Sequence, residues 1–329
     1  MFKTLMNAFK IKDLRNKILF TFAMIVVIRL GSQLPVPGVD RNYFAAWFAA
    51  QSGDAFNFLD AFTGGSFMNM SVFALNISPY ITSSIIMQLL TIAIPKLEEM
   101  QKDGEEGRKK IASITRYVTV GLALIESAAM AIGFGRSGLL QEYNAINVII
   151  VIAALTAGSA VVMWIGERIT EHGVGNGTSL FIVAGIIASF PDMIKDLLNQ
   201  FILAEEVSVG GIFVFIGVIL LLILIIVGVV FMEQAQRKIP IQYANRPAGS
   251  AFRGRNDSNI PIKLNSASVI PVIFASTLMS IPAIIIQVLN LDPYHGVGYW
   301  LNQIFTTTSV AENGNVTINS IGFALYILL

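Results

Sequence analysis

Eight apolar runs divide this chain, and most of them are long enough to cross a lipid bilayer. Crossing as a helix takes about 20 residues, or fewer where neighbouring helices bury the ends. Only 13% of the 329 residues are charged and 54% are hydrophobic, whereas a soluble globular protein carries about 25% charged residues. The runs cover residues 18–34, 71–94, 114–134, 147–166, 178–190, 211–232, 268–289 and 320–329. We therefore predict an all-α integral membrane protein, a polytopic bundle of helices.

The basic residues alternate between the two sides of this bundle. With the N-terminus in the cytoplasm, the cytoplasmic segments hold 18 Lys and Arg residues and the outer segments hold 3. Cytoplasmic loops of membrane proteins carry such an excess of Lys and Arg. The asymmetry predicts a multi-pass protein with a cytoplasmic N-terminus. Its two long basic loops, residues 95–116 and 233–266, would also be cytoplasmic.

Residue types that support catalysis or hold metals are scarce. The chain has no cysteine and only two histidines, which excludes disulfides, iron–sulfur clusters, thiolate zinc sites and multi-histidine metal sites. The sequence lacks the motifs of zinc proteases, serine hydrolases and phosphate-binding loops. The glycine-rich segment 173–177 is predicted to be a tight turn between the fourth and fifth runs. We predict no catalytic residue, no metal and no cofactor.

Two ionisable residues, Arg29 and Glu126, fall inside the apolar runs. Such residues are costly in a bilayer and often functional. Arg29 lies five residues before Leu34, close enough to the outer interface for its long side chain to reach the headgroups. Glu126 lies deeper and is the basis of an alternative function, proton-linked secondary transport.

Proline interrupts the second run near its start. Pro79 removes one backbone donor and is expected to bend or open the helix there. Ile77 and Ile81 lie four residues apart and therefore on one helix face. On spacing alone, ordinary packing is the default interpretation of such a pair.

The eighth run ends with the chain, after ten apolar residues. Ten residues are too few to cross a bilayer as a helix. We therefore expect the chain to be C-terminally incomplete.

Five blocks of sequence resemble the SecY family, the central subunits of the bacterial Sec protein-conducting channel (translocase). The blocks lie in the family's order, and the resemblance extends over most of residues 15–290. They read NISPYITSSIIMQLL, KDGEEGRKKIASITRY, MWIGERITEHGVGNG, RKIPIQY and PIKLNSASVIPVIFAS. The resemblance implies ten helices in two pseudo-symmetric halves around a pore, about eight of them present here. Residues 1–192 would form the first half, and residues 193–329 would begin the second.

The resemblance also implies a ring of apolar side chains that seals the pore around a passing polypeptide. An apolar constriction loses its water and blocks ions without a selective site. The matching positions are Ile77, Ile81, Thr178, Ile182 and Ile273. Thr178 departs from the isoleucine common in the family. Its hydroxyl would either wet that edge of the ring or bond back to the helix backbone.

Residues 54–66 match the plug of the family, a short helix that blocks the outer funnel. The candidate plug residues are Phe58, Leu59, Phe62, Gly64 and Gly65, the two glycines acting as a hinge. An amphipathic helix lying in the membrane interface is the alternative that the residues leave open.

The two basic cytoplasmic loops match the family's docking sites for the SecA motor and the ribosome. The candidate contacts are Lys109, Lys110, Arg237, Lys238, Arg246, Arg253 and Arg255. For any single lysine, the cytoplasmic excess of basic residues is an equally good explanation. The resemblance further implies SecE and SecG as companion subunits, and unfolded preproteins and signal sequences as substrates. A lateral gate to membrane lipid would open between the second and seventh runs, in the bacterial cytoplasmic membrane.

Overall fold

The computed structural model describes most of the chain. The described residues are 9–41, 43–44, 46, 60, 63–136, 138–140, 142–202, 209–240, 259–265, 272, 275, 278–279, 282, 286, 296–306, 308–310 and 316–328. The helices are α1 (Lys12–Gly31), α2 (Ser78–Ala93), α3 (Pro95–Lys102), α4 (Glu105–Arg136), α5 (Ala145–His172), α6 (Gly177–Phe201), α7 (Val209–Gln234), α8 (Gly296–Phe305) and α9 (Ser320–Leu328). The strands are β1 (Gln236–Pro240), β2 (Asn259–Lys263), β3 (Thr308–Val310) and β4 (Val316–Ile318).

The predicted polytopic helical architecture is confirmed for the described residues. Helices α4, α5, α6 and α7 are long and apolar enough to cross a membrane, and α2 with α3 forms a fifth, bent candidate. They contain the third to sixth predicted runs and most of the second. The first run belongs to α1, which begins in the charged segment around Lys12 and Arg15. The seventh run lies largely outside the described residues, and the eighth forms the nine-residue α9.

The second run begins its helix later than predicted. Residues 71–77 form turns, and α2 starts at Ser78 with Pro79 in its first turn. Proline suits that position because the first-turn amides have no partner within the helix. Pro79 therefore starts the helix instead of bending it. At the other end the axis turns by 102°, where Ile94 is extended and Pro95 begins α3.

Two short antiparallel sheets interrupt the helical architecture, and the pattern of apolar runs did not predict them. β1 pairs with β2 from Gln236↔Lys263 to Pro240↔Asn259, so part of the loop 233–266 is a β-ribbon. β3 pairs with β4 between α8 and α9. The described side chains of β1 and β2 are exposed. A strand with both faces in solvent lacks the strict apolar–polar alternation by which strands are recognised.

Two apolar clusters form the core that positions the candidate site. The Phe44 cluster joins Val36, Phe44 and residues 67–75 to α4 and α5 through contacts such as Phe44 against Phe134, whose rings meet edge-on at 5.0 Å. The Ile77 cluster joins α1, α2, α5 and α6. Its buried members are Ile28, Phe73, Ile77, Val162, Ile165, Ile169 and Phe181.

Polar side chains connect neighbouring helices inside this apolar frame. The hydroxyls of Ser83 on α2 and Thr119 on α4 share a hydrogen bond. Ser127 on α4 and Thr156 on α5 lie 2.9 Å apart, oxygen to oxygen. Interfaces between membrane helices are enriched in such small polar residues, which allow close backbone approach and bond across helices.

The chain divides into two compact units. One comprises Met1–Pro191 and Val272–Leu329, and the other comprises Asp192–Pro271. The first unit contains α1 to α5, most of α6, and both apolar clusters. The second contains α7 and the β1–β2 ribbon. The division at residue 192 into two pseudo-symmetric halves remains a prediction.

Candidate pore site

Three of the predicted ring residues meet in the Ile77 cluster. Ile77 is 2% exposed at the start of α2, and Ile81 on the next turn packs against the same cluster. Ile182 reaches it from α6. Because α2 and α6 are far apart in sequence, this contact brings together side chains that the sequence resemblance had assigned to one ring.

Thr178 lies beside the same cluster, in the first turn of α6. A Cβ atom built on Gly166 of α5 would lie 3.5 Å from Ile77 Cδ1 and 3.8 Å from Thr178 Cγ2. Gly166 therefore leaves room for both side chains. The Thr178 hydroxyl donates to Asn176 Oδ1 over 2.6 Å. Of the two alternatives for this hydroxyl, the bond back to the helix backbone is not observed, since the acceptor is the Asn176 side chain, which also accepts from the Thr178 amide.

Several predicted site residues lie outside the described part of the chain. They are Ile273 of the ring, Phe58, Leu59 and Phe62 of the plug, and Arg246, Arg253 and Arg255 of the second cytoplasmic loop. Their roles remain predictions.

The two hinge glycines of the predicted plug lie in a tightly bonded turn. Gly64 and Gly65 have φ of +65° and +81°, a region that side chains with a Cβ adopt at a cost. The Asp60 carboxylate accepts a 2.8 Å hydrogen bond from the Met68 amide. The Thr63 hydroxyl donates to the Asp60 carbonyl over 3.0 Å.

Burial around this turn changes the pKa of its one described carboxyl group, that of Asp60. Desolvation raises the pKa of Asp60, and hydrogen bonds from Met68 and Thr63 act in the opposite direction. Phe67 and Met70, just beyond the glycines, are buried members of the Phe44 cluster. The C-terminal side of the turn is therefore anchored in the core.

Arg29 points inward and not to the outer interface, so that interpretation of its position was wrong. Its Nη1 atom donates to the Gly64 carbonyl over 3.2 Å. Its Nη2 atom donates to the Ala184 carbonyl and, over 3.4 Å, to the Gly185 carbonyl of α6. A guanidinium offers five N–H donors in a fixed plane, and here the plane bridges two segments. The sequence signal for this role was an arginine inside an apolar helix, but spacing did not identify its partners.

The described basic residues of the two loops predicted to be cytoplasmic are exposed. Lys109 and Lys110 lie near the start of α4, and Arg237 and Lys238 lie on β1. The first pair belongs to one compact unit and the second pair to the other. Each pair is accessible to a partner.

Glu126, the residue behind the transporter alternative, is partly buried on α4. Proton relays in membrane transporters use chains of ionisable residues. Arg29 is the other ionisable residue within the apolar runs, and it donates to backbone carbonyls. The observed contacts of Arg29 therefore give it a structural role.

Known proteins resemble this chain in sequence and in fold. The SecY family model matches residues 71–329. The protein translocase subunit SecY of Halalkalibacterium halodurans is 40% identical over 338 aligned positions, which cover 100% of this chain and 74% of that protein. The SecY subunit of Corynebacterium glutamicum is 42% identical over 87% of this chain and 66% of that protein. The chain thus spans between two thirds and three quarters of these relatives.

Solved structures share the fold at lower sequence identity. A structure of a protein-conducting channel is 17% identical, with a TM-score of 0.60, and covers 95% of this chain and 69% of that chain. A SecY structure described by its plug domain, which stabilises the closed state and maintains a membrane seal, is 20% identical, with a TM-score of 0.61 over the same shares. The family-model match and the two SecY relatives agree with the resemblance of the five sequence blocks. The chain therefore belongs to the SecY family.

Proposed function

We propose that this chain forms the central pore of a Sec translocase. It would pass unfolded secretory proteins across the membrane and release membrane-protein segments sideways into lipid. The observation that carries the proposal is the meeting of Ile77, Ile81 and Ile182 in one apolar cluster. An apolar constriction blocks water and ions, and its side chains can separate around a peptide without reading its sequence.

The plug and the ring would act in series in this proposal. Gly64 and Gly65 end the segment that matches the plug, and they lie near the outer end of α1, where Arg29 contacts Gly64. The relative described by its plug domain supports a sealing role for the segment. The ring would limit leakage while a chain occupies the pore, and the plug would do so at rest.

Exposed basic residues support the docking of partners on the cytoplasmic side. Lys109, Lys110, Arg237 and Lys238 are accessible and could bind acidic protein surfaces or ribosomal RNA phosphates. One structural relative is a Sec61 channel in a ribosome–channel complex. We propose SecA and the ribosome as partners of these residues, and SecE and SecG as companion subunits.

The membrane orientation makes the first testable prediction. With the N-terminus in the cytoplasm, position 109 faces the cytoplasm and position 142 faces outward. In intact cells, a membrane-impermeant thiol reagent should label a Glu142→Cys variant and should not label a Lys109→Cys variant. The absence of native cysteines makes each label specific. Both residues are exposed, so the reverse pattern would overturn the orientation.

Export of a secretory protein tests the function against the transporter alternative. Membrane vesicles that contain the protein with its companion subunits should take up an unfolded preprotein into a protease-protected state when the motor and ATP are added. A Glu126→Gln variant should retain export within about twofold, since a passive pore needs no proton carrier. No export by the unaltered protein, together with a solute flux that Glu126→Gln abolishes, would favour the proton-linked alternative.

A further inference from the structure

We propose that Arg29 is the positioning residue that holds the turn at Gly64, the C-terminal end of the predicted plug, against α6 and thereby keeps the resting channel closed. The inference rests on the proposed channel function and adds a named contact to it. Arg29 lies in the last turn of α1, and its guanidinium binds carbonyls of both the plug-side turn and α6.

The contact joins two segments that are otherwise held in different places. On one side, Gly64 leads into Phe67 and Met70, which are buried in the Phe44 cluster. On the other side, Ala184 and Gly185 belong to α6, one turn or less beyond the ring position Ile182. Arg29 therefore connects the end of the plug to the helix that supplies part of the ring.

The surroundings of the guanidinium strengthen these hydrogen bonds. Charge-assisted hydrogen bonds are roughly twice as strong as neutral ones, and a low local dielectric strengthens them further. A small cavity beside Arg29 is lined by Ser32, Thr63 and Ser66, all of which are buried. The fixed plane of an arginine can bond both segments at once, whereas a lysine ammonium acts as a compact point charge.

Through this contact, occupation of the pore by a polypeptide would release the turn at Gly64. A polypeptide that enters the ring must displace side chains of the Ile77 cluster, including Ile182 on α6. Movement of α6 shifts the Ala184 and Gly185 carbonyls relative to Gly64, and a single guanidinium cannot follow both. The Gly64 contact then breaks, and the plug-side turn is released when the pore is occupied.

An Arg29→Gln variant tests the proposal through ion leak in the absence of substrate. The neutral side chain is shorter and cannot bridge the two segments, so we expect the leak across channel-containing membranes to rise about tenfold, with protein level and export within about twofold of the unaltered protein. An Arg29→Lys variant should leak to an intermediate extent. Arg41→Gln is the control, since Arg41 also donates to backbone carbonyls, those of Gln33 and Asn69, and it should leave the leak unchanged.

A matched pair of glycine variants tests the same contact without changing charge. Gly64→Ala and Gly65→Ala both place a Cβ at positive φ. A Cβ at position 64 would lie 2.8 Å from both Arg29 Nη atoms and from the Gly185 carbonyl, and would therefore disturb the Arg29 contact. A Cβ at position 65 would not, since its nearest neighbour is Asn69 Nδ2 at 3.6 Å. Gly64→Ala should therefore leak several-fold more than Gly65→Ala.

Accessibility of the plug-side turn gives an independent readout. Ser66 is 3% exposed, so a Ser66→Cys variant should react slowly with a thiol reagent from the outer side. Adding Arg29→Gln should accelerate the labelling about tenfold, and adding Arg41→Gln should not. Equal leak and equal labelling in the Arg29 and Arg41 variants would overturn the proposal.

The outcome distinguishes this inference from the proposed function. If the unaltered protein exports preproteins and removal of the plug raises the leak, but Arg29→Gln and Gly64→Ala do not, the inference alone fails. If the unaltered protein exports nothing under conditions where a relative does, the channel function fails. If the Arg29→Gln variant does not accumulate in membranes, the difference in leak between Gly64→Ala and Gly65→Ala decides whether this inference holds.

Discussion

Deletion of residues 57–65 is expected to raise the ion leak of the resting channel by about tenfold or more, equivalent to ~1.4 kcal/mol or more of barrier. The physical reason is that the ring alone would then oppose ion passage. If Thr178 belongs to the predicted ring, its hydroxyl would make one edge of the ring partly polar and the barrier to water less complete. Export should stay within about twofold, because the deleted residues precede the second apolar run and belong to the segment that matches the plug.

Single-channel conductance in planar bilayers measures this effect directly. The deletion variant should show frequent openings without substrate, and the unaltered channel should show few. Bilayers that received protein-free vesicles provide the control for leak through lipid. Conductance equal to that of the unaltered channel would contradict a plug at residues 54–66 and would favour an interfacial helix there.

Replacement of both Ile81 and Ile182 by asparagine is the second change with a large expected effect. The two side chains pack against the Ile77 cluster from α2 and α6. Amides at both positions would hold water in the constriction and remove its apolar barrier. We expect the leak to rise about tenfold, even with the plug present.

A matched control separates pore wetting from general damage to the protein. Ile125 on α4 is 64% exposed and is not a member of the Ile77 cluster, so an Ile125→Asn variant places the same side chain away from the predicted ring. The Ile125→Asn variant should at most lower the amount of protein inserted into the membrane. The conductance of each channel should not change. An Ile81/Ile182 double variant that leaks no more than the Ile125 variant would remove both residues from the ring.

Much of the fold could be predicted from apolar runs, because length and composition determine which segments can cross a membrane. Helices α4 to α7 contain the runs predicted for them. The start of α2 was misplaced because the turns at 71–77 are as apolar as the helix that follows. These turns include positive φ at Met70 and Asn76, a conformation that is uncommon for residues other than glycine, although asparagine is enriched in it. The β1–β2 ribbon was missed because its strands are five residues long and exposed.

The candidate site was predictable by resemblance and not by spacing. Ile77 and Ile81 form an ordinary helical pair, and the packing of Ile182 against the same cluster depends on how the chain folds between α2 and α6. Arg29 was misplaced for the same reason, since its acceptors lie 35 and 155 residues further along the chain. Long-range contacts of this kind follow from the assembled bundle, and a single sequence does not encode them in any local pattern.

Disulfide cross-linking to a stalled secretory chain tests the central claim most directly. The protein lacks cysteine, so Ile81→Cys, Ile182→Cys, Ile273→Cys and Ile125→Cys variants each carry a single thiol. A preprotein with one cysteine, arrested during export, should cross-link to the variants at positions 81, 182 and 273 and not to the variant at position 125. Equal cross-linking at position 125, or none at the three ring positions during active export, would contradict a pore lined by these residues.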